Sequence, residues 1–382
     1  MKKFLGIAAT VLAAGMMAGC GGCIGCNGCS SCNSSTKNNA LTNSNWFNGT
    51  GYKGIQPFFI VDGDNSDYTS EKLTYAVTFD KDDATNGSYS VDYKDGVYVT
   101  EFYAAHRSWN GNTIENYKLE EDVTEVLYCY KTELTISVQY KKGDAASEWF
   151  NDSIVTECWF RAAEYSLRPV YSSQEIISHS PSGFSASSVE GCYDTVELTY
   201  ENFYNYKGTE VTSFTYEKGK DEKKETFGKL NKRDNTVFDN SSLYIAVRSM
   251  KLSTSFSQQI DLFSAAAGGV SSYNVSGSDK SLPDEEHKAV SAALADKGLY
   301  TPVTTDDEGN TVEDKGIATV AMNISYSGGL QGTTQTVWYA AIENQNNNTA
   351  RATMLKISVP LSYGLGTMNY TLKEVNSTIW NG

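Results

Sequence analysis

A chain of 382 residues with 40% hydrophobic and 20% charged side chains is neither a collagen, a coiled coil nor a disordered tail. Its formal charge of −15 argues against a nucleic-acid partner, because neutralising phosphates needs a basic face. With 25 Tyr, only 6 Pro and plentiful Thr, Val and Ser, the composition favours strands over helices.

The first residues read as an export address. Met1, Lys2 and Lys3 make a basic start, Phe4 to Ala14 an apolar stretch, and Gly15 to Gly19 a small-residue segment ending at Cys20. As a helix the apolar stretch rises only about 16 Å, roughly half the hydrocarbon thickness, so a permanent span is not expected. Met17-Ala18-Gly19-Cys20 resembles the bacterial lipobox, with Met17 where Leu is commoner. That resemblance implies cleavage after residue 19, lipidation of Cys20 and attachment to the outer face of a bacterial membrane. Loss of Lys2 and Lys3 then lowers the mature charge by two, to −17. Two or more acyl chains hold stably where one does not.

Residues 20–45 are expected to form a flexible tether. Cys20, Cys23, Cys26, Cys29 and Cys32 recur at a strict spacing of three among Gly, Ser and Asn. Paired thiolates at that spacing can face one zinc ion or cluster iron, yet neither a histidine nor an apolar shell accompanies them. Metal binding, crosslinking thiols and a plain low-complexity tether stay open as readings. Cys129, Cys158 and Cys192 complete the cysteines, and their odd number defines no disulfide framework.

Residues 46–382 are expected to form one large β domain. Short alternating runs separated by polar turns predict strands at Leu73 to Phe79, Ser88 to Tyr93, Val97 to Tyr103, Leu127 to Tyr140, Ile154 to Phe160, Val196 to Tyr200 and Val211 to Tyr216. Asp95-Gly96 supplies the positive φ that a tight hairpin needs, so the second and third runs are expected to fold back on each other. The mixed charges from Glu217 to Asp234 suit a solvated hairpin. Leu243, Ala246, Val247 and Met250 fall at helical spacing behind Asp239-Asn240-Ser241, predicting a short helix with one apolar stripe. A second helix is predicted from Pro283 to Gly298. Ile317 to Tyr326, Thr334 to Ile342, Ala350 to Val359 and Thr367 to Val375 then predict a four-strand meander.

Motifs for chemistry are sparse. His106, His179 and His287 are too far apart for a local zinc pair, and neither a nucleophile elbow nor a phosphate-binding loop is present. His106 reads as a surface loop residue and His287 as a solvated one. Asp62, Asp64 and Asp67 form an acidic loop that could hold calcium outside the EF-hand pattern, with Asp80, Asp82 and Asp83 as a second acidic loop. Tyr89, Tyr93, Tyr98, Tyr103, Tyr128, Tyr130, Tyr200, Tyr204 and Tyr206 place rings along strands, where wet-face rings could stack on sugars. Trp46, Trp109 and Trp149 fall near predicted loops.

Cys158-Trp159-Phe160, Leu167-Arg168-Pro169, the helix Leu243 to Arg248, Val337-Trp338-Tyr339, Met354 to Ile357 and Met368 to Leu372 occur in an order that resembles an uncharacterised family of bacterial envelope proteins. That domain-of-unknown-function family is distantly like the half-barrels of lipoprotein-localisation factors. The likeness spans residues 73–375 and departs at Ser264 to Gly269, at Asn344 to Asn348 and around Pro283. It implies a mainly β fold, a large curved antiparallel sheet of half-barrel form with one or two short helices packed on it, and it brings no catalytic residues. From that fold follows an expected apolar groove at Leu243, Val247 and Met250, or an ordinary core in the same place. The leading expectation is a non-enzymatic, lipid-anchored envelope protein that binds a hydrophobic or amphiphilic ligand or acts as a scaffold. A surface carbohydrate-binding or adhesive β-protein is the alternative, and a carboxylate-dependent hydrolase the third. No cofactor is expected beyond possible calcium, and the expected partners are the membrane and a lipid or glycan.

Overall fold

The computed structural model describes residues 70–81, 89–108, 124–161, 169–181, 187–205, 209–230, 237–250, 252–302, 308–310, 316–327, 334–341, 352–361 and 365–377. The lipobox, the tether and the calcium loop of Asp62, Asp64 and Asp67 lie outside them.

Apart from a 3-10 turn at Val189–Cys192, the elements of the first half of the described chain are strands: β1 (Ser70–Lys81), β2 (Tyr89–Ser108), β3 (Thr124–Lys142), β4 (Ala145–Ala146), β5 (Phe150–Arg161), β6 (Pro169–Pro181), β7 (Tyr193–Tyr204), β8 (Glu210–Glu217) and β9 (Lys223–Gly228). The second half opens with β10 (Val237–Asp239) and helix α1 (Leu243–Arg248). It continues through β11 (Ser257–Ser264), β12 (Gly269–Ser278), helix α2 (Asp284–Ala295), β13 (Thr319–Tyr326), β14 (Gln335–Ala340), β15 (Met354–Pro360) and β16 (Gly366–Ser377). All sixteen strands belong to one sheet, ordered β10 to β16, then β1, β2, β3, β5 to β9, with the short β4 beside β3. The predicted closing meander is β13 to β16, each strand pairing antiparallel with the next.

Two expectations change. Asp95-Gly96 does not turn the chain: β2 runs straight through it, and two residues there oppose Ile136 alone, a β-bulge with Asp95 at φ 53°. Both flanking runs pair with β3, so the left-handed conformation bends the strand instead of reversing it. A Cβ on Gly96 would stand 2.7 Å from Val77 Cβ, which explains the glycine. The sheet is also mixed, since β10 and β11 run parallel where antiparallel pairing was expected throughout. Ser264 to Gly269, one of the places where the sequence departs from the family it resembles, closes the β11–β12 hairpin as a tight turn in which Gly268 takes φ 75°.

Alternation assigns the two faces. Leu73, Tyr75, Tyr98, Leu134, Ile154, Ile176, Leu198 and Tyr200 point inward into one core with α1. Helix α1 is buried at every position, so its stripe widens to the whole surface. Helix α2 lies on the opposite face: Lys356 bonds Glu286, and Trp338 Nε1 donates to Lys280 O at 2.9 Å. Trp338 and Lys356 face away from Tyr339, whose hydroxyl donates to Tyr244 O of α1 at 2.9 Å. Strand β14 is therefore buried on both faces. The curved sheet wraps α1 only, and α2 covers it from outside.

Candidate functional site

The interior around α1 is where the sequence placed a groove, and its construction starts at Asp239. That carboxylate accepts from Ser241 N at 2.7 Å and caps the 3-10 turn Asn240–Ser242 that leads into α1. Asp239 Oδ2 also accepts from Ser172 Oγ and from Tyr204 OH, each at 2.5 Å, while Asn202 Nδ2 donates to Ser172 Oγ at 2.9 Å. Burial pushes the Asp239 carboxyl above the usual carboxylate range, against the lowering effect of its donors.

At the other end of α1, Arg248 grips Glu71 of β1 with two bonds, Nη1 to Oε1 at 2.5 Å and Nη2 to Oε2 at 3.0 Å. Both side chains are buried, at 5% and 3% exposed. Burial works against the guanidinium charge, but the Glu71 carboxylate outweighs it and raises the Arg248 pKa further. Between these two anchors Tyr244 OH donates to Gln335 Oε1 at 2.7 Å, and Tyr75 OH to Met354 O at 2.8 Å. The helix is thus tied to strands from both halves of the sheet.

Leu243, Val247 and Met250 are 1%, 0% and 4% exposed and pack as core. Beside them Tyr98, Thr156, Gln174, Asn240 and Tyr244 line a cavity whose open volume of about 10 Å³ holds one water molecule. An acyl chain does not fit there with α1 in place.

A second polar cluster sits nearer the edge of β5 and β6. Asp152, its side chain fully buried, accepts from the His179 backbone N–H at 3.0 Å and lies 2.8 Å from Nδ1 of the same residue. Phe150 stacks on the imidazole at 3.9 Å and 11°, and Tyr140 OH donates to His179 O at 2.6 Å. Burial raises the Asp152 pKa, which the His179 hydrogen bonds only partly offset. A carboxylate holding Nδ1 of an imidazole is the base half of a nucleophilic triad. Among the described residues no hydroxyl or thiol hydrogen-bonds to the ring, and the pair ties β5 to β6. Spacing gave no hint of either pair: the partners are 27 residues apart for His179 and Asp152, and 177 apart for Arg248 and Glu71. A charged residue within an otherwise apolar helix stripe was the one usable signal, and it pointed to Arg248.

The remaining residues singled out from sequence are scattered. Tyr89, Tyr93, Tyr98, Tyr130, Tyr200 and Tyr204 belong to the inward faces, where no sugar can stack on them, while Tyr103 packs edge-on against Trp159 on the outer face. The side chain of Tyr128, like Tyr206, Trp46 and Trp109, lies outside the described residues. Trp149 is 38% exposed with the Lys94 ammonium 4.1 Å over its ring. His106 is in strand β2, paired with Val126, and not in a loop. His287 is half-buried and not solvated, because its Nε2–H donates to Ile317 O at 2.7 Å and fastens α2 to the approach to β13. Asp80 belongs to β1, where it accepts from Asn369 at 2.8 Å, while Asp82 and Asp83 lie outside the described residues. Cys129, Cys158 and Cys192 are buried and form no disulfide with one another; Cys129 and Cys158 face opposite sides of the sheet.

No family model and no curated protein matches this sequence. Among solved structures it is distantly similar to the β-barrel-like protein of the domain of unknown function DUF1849 from Brucella abortus, at 12% identity and a TM-score of 0.44. That alignment covers 81% of this chain and 98% of the other.

Proposed function

We propose that this chain is a non-enzymatic envelope protein, anchored to the outer face of a bacterial membrane through lipidated Cys20, whose β body serves as a scaffold. The observation that carries the scaffold reading over a resident-lipid reading is the filling of the interior by α1. Leu243, Val247 and Met250 are consumed as core, and the neighbouring cavity has room for one water. Arg248, Tyr244 and Tyr75 are engaged in fixed bonds to Glu71, Gln335 and Met354, which supports rigidity over turnover. The lipobox resemblance supports the anchor, and the acidic body suits the wet side of an envelope.

Native mass spectrometry of the full chain, extracted from membranes in detergent, tests both parts. The expected spectrum shows covalent acyl mass on Cys20, absent in Cys20→Ser, and no further lipid. A non-covalent acyl species at defined stoichiometry would replace the scaffold by a lipid carrier, and an unmodified Cys20 would remove the anchor.

A further inference from the structure

The two ends of the sheet do not meet edge to edge; they overlap. Tyr204, Val211 and Phe227 lie on the inward side of β7, β8 and β9, by alternation with Phe203, Thr212 and Thr226. Phe263 lies on the outward side of β11, since Ile260 and Leu262 face the core. Yet Phe263 meets Tyr204 at 5.9 Å and Phe227 at 5.2 Å between ring centroids, so the β7–β9 end laps over the β10–β11 end. Val237 and Leu230 complete this small cluster, which is separate from the main core.

We infer that this overlap is a gate, at which the β7–β9 end swings off β10 and β11 while the β1–β16 joint on the opposite side stays paired. It goes beyond the scaffold reading and depends on none of its parts. Every other neighbouring pair of strands shares a backbone ladder, but among the described residues β9 pairs only with β8, and β10 only with β11. What closes the gap is the Tyr204 hydroxyl of β7, which donates to Asp239 beside Ser172 of β6, and the rings of Tyr204 and Phe227 around Phe263. Such side-chain contacts are individually weak beside a continuous ladder, and local opening follows the line of fewest shared backbone bonds.

A second observation points the same way. Asn202 Oδ1 and Ser213 Oγ stand opposite each other on the inward side of β7 and β8, buried and without hydrogen-bond partners in the closed form. Water reaches both when the β7–β9 end lifts, so the open form recovers what the closed form leaves unsatisfied. The strip uncovered is apolar, made of Val211, Phe227, Phe263 and Val270.

Peptide-resolved hydrogen exchange on the full chain tests this. Amides of β9 and β10 are expected to exchange at least about tenfold faster than those of β1 and β16. Tyr204→Phe removes one latch bond without opening a cavity, and should speed β9 and β10 together by about threefold to tenfold while leaving β1 and β16 unchanged. Three results overturn the gate: seam strands as protected as β1 and β16, acceleration of all strands alike, or a β9 that frays without β10 responding to Tyr204→Phe. If that variant fails to fold, the first comparison in the unaltered chain decides alone.

Discussion

The halves of this sheet meet twice, and the two meetings use different physics. At β1 and β16 they share a ladder from Glu71↔Ser377 to Lys81↔Gly366, broken once by a register shift after Thr74. That joint is reinforced from inside, because Glu71 at its start receives both guanidinium nitrogens of Arg248. Diametrically across the sheet order, β9 and β10 share no ladder among the described residues and are held by Asp239, Ser172, Tyr204 and the Phe263 rings. A curved sheet of many strands can therefore enclose its core without closing its hydrogen bonds, provided side chains seal the overlap. Where the ladder is continuous, a defect is expected to unfold the whole; where it is not, a defect loosens one place.

The sharpest way to break this contrast is at the joint. Glu71→Ala deprives the buried Arg248 charge of its carboxylate partner, and a loss of about 3–5 kcal/mol is expected in urea unfolding, with all strands affected. Gly96→Ala drives a methyl into Val77 of β1 at 2.7 Å and should cost about 1–3 kcal/mol by the same measurement. A cost under about 0.5 kcal/mol in either would mean that the joint yields as readily as the seam.

At the seam the effects are smaller and depend on pH. Asp239 there, and Asp152 beside His179, are both held above the ordinary carboxylate range by burial. For an acid raised in the folded state, the favourable protonation is complete below the unfolded pKa of about 4 and is lost as the pH climbs through the folded value. Asp239→Asn and Asp152→Asn lack that loss, so their urea midpoints relative to the unaltered chain are expected to rise between pH 4 and pH 7. Asp92 runs the other way: burial works to raise it, but Lys141 and Lys81 outweigh that and lower it, so its contribution is lost as the pH falls. A difference between variants and parent that stays flat with pH would show that the two buried carboxyls do not titrate as burial demands.

The smallest effect belongs to the outer wall. Ile177 is 47% exposed where its neighbour Ile176 is 2% exposed, so Ile177→Ser should change stability by under about 0.5 kcal/mol and Ile176→Ala by about 2–5. Equal effects would mean that the outer wall of β6 is covered in solution.

Much of the strand layout was legible. The alternating runs at residues 73–79, 127–140, 154–160 and 317–375 became strands at nearly those places, because one wet face imposes period two. Strand β6 was not foreseen, since Ser, Gln and Glu interrupt its apolar pattern and adjacent Ile176 and Ile177 blur the alternation. Helix α1 was visible from its spacing, whereas its complete burial was not, because a six-residue sequence records only the faces and not what stands opposite them. The interior clasps were invisible for the same reason: no local pattern links Glu71 to Arg248 or Asp152 to His179.

By itself the sequence determined the β character, the period of the strands, the two helices and the lipobox-like start, all of which rest on residues a few places apart. Tertiary structure alone decided that Asp95-Gly96 bends a strand instead of ending it, that α1 is enclosed while α2 lies outside, and that the sheet closes by overlapping itself. Each of those outcomes depends on which distant strand supplies the neighbouring backbone or side chain. A chain's local pattern carries its preferences, and only the folded neighbours choose between them.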